Sequence, residues 1–107
     1  MSLDESRFAT LADGTLEHVA DVLDEVLGDI VDVEYQHGVL TITLAGGGQY
    51  VVNKHGPMRQ IWLSSPVSGA SHYDWADGEW RATRSSALLL QLLAEELSAK
   101  TGRVVEL

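Results

Sequence analysis

Two stretches of helical periodicity enclose a run of short segments in which apolar and polar residues alternate, and this order restricts the possible folds more than any other property of the chain. Alternation is the pattern of a strand whose two faces meet different surroundings. It occurs over Val31–Gln36 and Val39–Leu44, and Gln49–Asn53, Arg59–Ser64, His72–Trp75 and Glu79–Ala82 read the same way. The connections are turn residues: His37-Gly38, Gly46-Gly47-Gly48, Gly56-Pro57, Pro66 to Gly69, and Asp77-Gly78. Parallel strands need crossovers of about a dozen residues, so turns this short make an antiparallel meander. The expected fold is α+β. Two helices cover one face of an antiparallel sheet of about five or six strands, a two-layer sandwich whose other face is wet. A chain of 107 residues suits one domain, taken as 1–107.

The first helix is expected from about Asp4 to Leu27. Phe8, Leu11, Ala12, Thr15, Val19, Val22, Leu23 and Val26 recur at spacings of three and four, with Leu16 and Leu27 at the border of the stripe. Gly28 is the expected C-cap. Asp13, Glu17, Asp21 and Glu25 follow one another at i+4 and Asp24 falls beside them, so five carboxylates share the opposite face. Like charges at this spacing repel by a few tenths of a kcal/mol per pair, and no basic residue is placed to relieve them. The second helix draws its apolar face from Leu89, Leu90, Leu92, Leu93 and Leu97, with Ser85 or Ser86 as its cap and Gly102 at its end. The tail Arg103–Leu107 keeps Val104, Val105 and Leu107 and is expected to pack near the helices.

Composition excludes several classes of function. There is no cysteine, hence no disulfide framework, thiolate metal site or cysteine nucleophile. Sixteen acids against seven bases give a net charge of −9, which argues against nucleic acid and anionic membrane as partners. Ten of the acids lie between Asp4 and Glu34, accompanied only by Arg7, so the molecule is electrically lopsided. No apolar run approaches the ~20 residues of a spanning helix. The acidic start at Asp4 and Glu5 is unlike a secretory or transit leader, so a cytoplasmic protein is expected.

One residue stands out within the strands. If Ile61 and Leu63 face the helices, Trp62 faces outward with Gln60 and Ser64, and a large aromatic on an open sheet face is a candidate interface anchor. Asn53 shares that face. The stretch from Gln49 to Trp75 resembles the frataxin family. The motifs are Asn53-Lys54 after a strand, Gln60-Ile61-Trp62-Leu63-Ser64-Ser65-Pro66, Gly69, and Tyr73-Asp74-Trp75. Leu11-Ala12-Asp13, Gly38-Val39-Leu40-Thr41 and Leu92-Leu93-Ala94-Glu95-Glu96-Leu97 extend the match through nearly the whole chain.

The resemblance implies an iron-binding protein of iron–sulfur cluster assembly, which engages a complex of cysteine desulfurase and scaffold protein as iron chaperone, regulator or both. The family's acidic ridge maps onto Asp13, Glu17, Asp21, Asp24 and Glu25, with Asp29 and Asp32 near the first strand. Its partner-binding sheet surface maps onto Asn53, Lys54, Gln60 and Trp62. His55 stands where many members have Gln, and His72 where eukaryotic members tend to have a basic residue. Carboxylate oxygens suit Fe²⁺ and Fe³⁺, but ridge side chains point into solvent and leave the ion most of its water, so binding is expected to be weak. His18 borders the ridge as an accessory ligand candidate. A monomer is expected, with metal-driven oligomers as a variant. The alternative from another functional class is a ferroxidase that oxidises Fe²⁺ and stores Fe³⁺ in oligomers; catalytic iron oxidation normally uses enclosed sites such as those in four-helix bundles, whereas this chain offers an open ridge.

Overall fold

A computed structural model describes residues 3–107; Met1 and Ser2, the first residues of the expected domain, lie outside the described residues. The order of elements is α1 (Glu5–Leu27), β1 (Val31–Gln36), β2 (Val39–Leu44), β3 (Gln49–His55), β4 (Gln60–Ser65), β5 (Gly69–Ala76), β6 (Glu79–Ala82) and α2 (Leu89–Thr101). The strands form one six-stranded antiparallel sheet in sequence order, with both helices against one face. Among the described residues, no helix is long and apolar enough to cross a membrane.

Helix α1 begins where Asp4 accepts the backbone N–H of Arg7 at 2.7 Å, satisfying a donor that the first turn leaves free. Its buried stripe is Phe8, Ala12, Leu16, Val19, Leu23 and Leu27. Leu16 and Leu27 therefore lie at the centre of the packed face, whereas Val22 and Val26 are half-buried at its margin. Gly28 does cap the helix, but in a right-handed conformation at φ −60°. A Cβ there would run into the Asp24 carbonyl oxygen, so close approach, not left-handed freedom, calls for glycine.

The meander runs longer than alternation alone indicates. Strand β3 continues to His55 because His55 pairs with Gln60, and β5 starts at Gly69 because Gly69 pairs with Ser65. Arg59, expected inside β4, stands in the turn at φ 50°. Helix α2 starts later than a Ser85 or Ser86 cap requires. Thr83 N–H donates to the His72 carbonyl at 2.9 Å, Ala82 N–H to that of Ala87 at 2.9 Å, and Arg81 bridges to Leu88, so the backbone stays tied to the sheet until Leu88. Leu88 is the N-cap and supplies no side-chain hydrogen bond.

The core lies between the layers. Leu40, Ile42, Tyr50, Val52, Ile61, Leu63 and Tyr73 project from the sheet towards the α1 stripe and Leu89, Leu93 and Leu97 of α2. Trp80 closes one end, edge-on to Phe8 and Trp75, and its indole N–H donates to Thr15 Oγ1 at 2.9 Å. The tail packs in part. Val105 is buried and its N–H reaches Ser98 Oγ, whereas Val104 is 79% exposed.

Candidate functional site

Burial of Ile61 and Leu63 leaves Gln60, Trp62 and Ser64 on the other face of β4, as the alternation predicts. The register places Asn53, Trp62 and His72 in one row across β3, β4 and β5, and His55, Gln60 and Asp74 in the next. Trp62 is held there as the middle of three parallel rings. His55 stacks on one face at 3.7 Å and 7°, and His72 on the other at 4.2 Å and 11°.

The stack is fixed from below. The Trp62 indole N–H donates to Gln60 Oε1 at 2.8 Å, and the Gln60 amide donates to Asp74 Oδ1 at 3.0 Å. Gln60 is thus a buried positioning residue with both ends of its amide engaged, not a free contact beside Trp62. His55 Nδ1 accepts the Met58 N–H at 3.3 Å, which directs its Nε2 edge away from the turn. With two torsions clamped between rings, Trp62 loses little freedom on being covered by a partner.

Lys54 does not share this face. Next to Asn53 in a strand, its side chain points to the helix layer, where Nζ lies 3.0 Å from Asp13 Oδ1 and donates to Oδ2 at 3.1 Å. Tyr35 O–H also donates to Asp13 Oδ1, at 3.1 Å. The expectation that no base relieves the ridge is therefore corrected at Asp13, because docking of α1 on the sheet brings Lys54 under it. Burial, followed by the Asp13 hydrogen bond, pushes the Tyr35 phenol up to about 12.

The remaining acids divide by environment. Glu17, Asp21, Asp24 and Glu25 are exposed along α1. Asp29 is clasped by both Arg103 nitrogens, at 2.6 and 2.9 Å, and this pair holds its carboxyl below the ordinary range. Asp32 projects from the solvent side of β1, opposite Thr43. His18 Nε2 lies 3.0 Å from the Leu107 oxygen, so the ring is engaged by the tail. Among the described residues, no three His, Asp or Glu side chains converge to hold an ion. The arrangement can attract hydrated cations to an open carboxylate surface.

Two features escaped the sequence reading. The imidazole–indole–imidazole stack needed the register, since His55 and His72 are far apart along the chain. Glu96 of α2 accepts Ser65 Oγ–H at 2.6 Å and Tyr50 O–H at 2.9 Å, while Ser65 Oγ accepts the N–H groups of Val67 and Ser68. This cluster pins the β4–β5 turn to α2. Its only prior signal was a polar residue on a leucine-rich helix.

Comparison with known proteins adds to this geometry. The family model of the frataxin-like domain matches residues 1–103. Mitochondrial frataxin of Arabidopsis thaliana is 42% identical over 111 residues, covering 98% of this chain and 59% of that protein, so the chain spans about three fifths of it. The iron-sulfur cluster assembly protein CyaY of Tolumonas auensis is 34% identical over 103 residues, covering 96% of this chain and 97% of that protein. Among solved structures, frataxin from Psychromonas ingrahamii aligns with a TM-score of 0.87 at 25% identity over 97% of both chains. A trimeric frataxin from Saccharomyces cerevisiae, complexed with ferrous iron, aligns with a TM-score of 0.77 at 36% identity over 96% of this chain and 90% of that one.

Proposed function

Because the chain belongs to the frataxin-like family, we propose that it binds iron weakly and acts in iron–sulfur cluster assembly as iron chaperone and regulator of a cysteine desulfurase–scaffold complex. The observation that carries this reading is the clamped Trp62 on the open sheet face. A rigid aromatic surrounded by polar groups is the composition of an interface anchor. Asn53 stands beside it in the register and Gln60 orients it.

Iron enters as cargo. Glu17, Asp21, Asp24 and Glu25 offer hard oxygen donors suited to Fe²⁺ and Fe³⁺, but on one convex helix face they leave most of the shell to water. Weak affinity of this kind permits the ion to be passed on. The ferroxidase alternative needs an enclosed site, and the ridge geometry does not favour it.

The test is desulfurase turnover in a purified assembly system, with and without this protein and iron, using the parent and Trp62→Ala. Trp62→Ala should weaken binding to the complex by ~2 kcal/mol or more, roughly thirtyfold, with a smaller loss of fold stability. A collapse of stability with affinity intact would make Trp62 a structural residue and overturn the interface.

A further inference from the structure

One corner of the sheet presents a base in a cleft that no acidic residue lines. Among the described residues, three of the seven bases are ion-paired: Lys54 with Asp13, Arg81 with Glu79 and Arg103 with Asp29. Arg84 has no such partner. It lines a cleft of about 310 Å³ together with Ser71, His72, Thr83 and Ser85, and none of the lining residues is acidic. The nearby carboxylates are already engaged, Asp74 by Gln60 and Glu79 by Arg81.

The cleft is a built feature of the fold. The bond from Thr83 N–H to the His72 carbonyl holds the segment after β6 against β5, and the Ala82–Ala87 bond turns that segment back on itself. His72 belongs both to the cleft and to the Trp62 stack, so the cationic corner and the aromatic platform are continuous. Ser85 Oγ accepts the Ala87 N–H and still has its own O–H to donate.

We propose that this cleft receives a carboxylate side chain from an acidic segment of the partner protein laid across Trp62. A guanidinium fork binds a carboxylate through two parallel N–H···O bonds, and the adjoining hydroxyl adds a further donor. The net charge of −9 favours a tethered acid over a free anion. A diffusing anion must approach against the net negative charge of the whole molecule, whereas a carboxylate on a docked partner is delivered to a guanidinium that no carboxylate among the described residues is ion-paired with. The proposal rests on the reading that the open face docks the partner. It adds that this contact has the opposite sign from any contact made by the ridge, which fixes orientation as well as affinity.

The experiment titrates the ¹⁵N-labelled chain with a short acetylated oligoglutamate peptide, following the Arg84 Nε–H and Trp62 indole N–H signals. Oligoglutamine and inorganic phosphate at matched ionic strength are the controls, and Arg84→Gln and Trp62→Ala the variants. Saturable shifts at both signals are expected with oligoglutamate alone, weakened about tenfold in Arg84→Gln, whose melting temperature stays at the parent value. Equal affinity in Arg84→Gln, or no shift at Arg84, overturns the cleft. Phosphate binding as tightly as the peptide reduces it to a small-anion pocket and overturns the docking assignment. Peptide binding lost in Trp62→Ala but kept in Arg84→Gln removes the cleft and leaves the open face standing. The reverse keeps the cleft and removes the open face as its continuation.

Discussion

Lys54 lies between Asn53 and His55 in sequence yet acts on the opposite side of the sheet. Its pair with Asp13 is partly exposed, at 27% and 41%, so it contributes at most ~1 kcal/mol. Its larger effect is to occupy a ridge carboxylate. Lys54→Met should lower stability by less than ~1 kcal/mol and raise the affinity of α1 for Mn²⁺, because Asp13 is released to the ridge. Calorimetric titration with Mn²⁺ checks this, and unchanged affinity would mean that Asp13 stays bound to Tyr35 and takes no part. Alternation alone was enough to aim Trp62 outward. The same alternation separates Lys54 from Asn53, but what Lys54 meets on the inner side depends on how α1 docks, and no local pattern carries that.

The ridge acts as a unit at the scale of the helix. Glu17–Asp21 and Asp21–Glu25 are i+4 neighbours and Asp21–Asp24 is an i+3 pair, each repelling by ~0.2–0.5 kcal/mol. Converting Glu17, Asp21, Asp24 and Glu25 to Gln or Asn, with Asp13 kept for Lys54 and Tyr35, should raise the melting temperature in metal-free buffer. It should also abolish most of the stabilisation that added cations give the parent. A neutralised variant that still binds iron as the parent does would place the site elsewhere.

The opposite layer is tied to the helices by phenols. Tyr50 is buried against Glu96, and burial followed by that hydrogen bond pushes it up to about 12, as with Tyr35 against Asp13. The folded state therefore holds these protons more tightly than the unfolded chain, whose tyrosines titrate near 10.0. The stabilisation is complete below pH ~10 and is lost as pH rises towards about 12. Denaturant titrations across that window should show a steep decline, and the double variant Tyr35→Phe, Tyr50→Phe should flatten it. Periodicity located every element, but the start of α2 was hidden. The bonds that hold Thr83 and Leu88 to the sheet lie between backbone groups, and side-chain pattern does not encode them.

For the molecule as a whole, the α1 carboxylates and Trp62 belong to different layers of the fold. The ridge lies on the helix layer and Trp62 on the far side of the sheet, in a body whose shortest extent is 20 Å. At 0.1 M salt the ~10 Å Debye length limits how far the charge of one surface reaches the other. A two-component partner can meet both, with a basic component on the ridge and another covering Trp62, as a desulfurase–scaffold complex would allow. The ridge, with five of the ten N-terminal acids, steers the approach from a distance, whereas the Trp62 contact forms only at short range. Association with the complex should therefore slow steeply as salt rises, while dissociation changes little. Neutralising the ridge should flatten the salt slope of association, and iron bound there should mimic part of that effect without any change of conformation. Trp62→Ala should leave the slope unchanged and speed dissociation. Stopped-flow measurements over a salt series, with parent, ridge variant and Trp62→Ala, separate the two roles. Parallel slopes for parent and ridge variant would mean that α1 faces away from the partner and that its carboxylates serve metal alone.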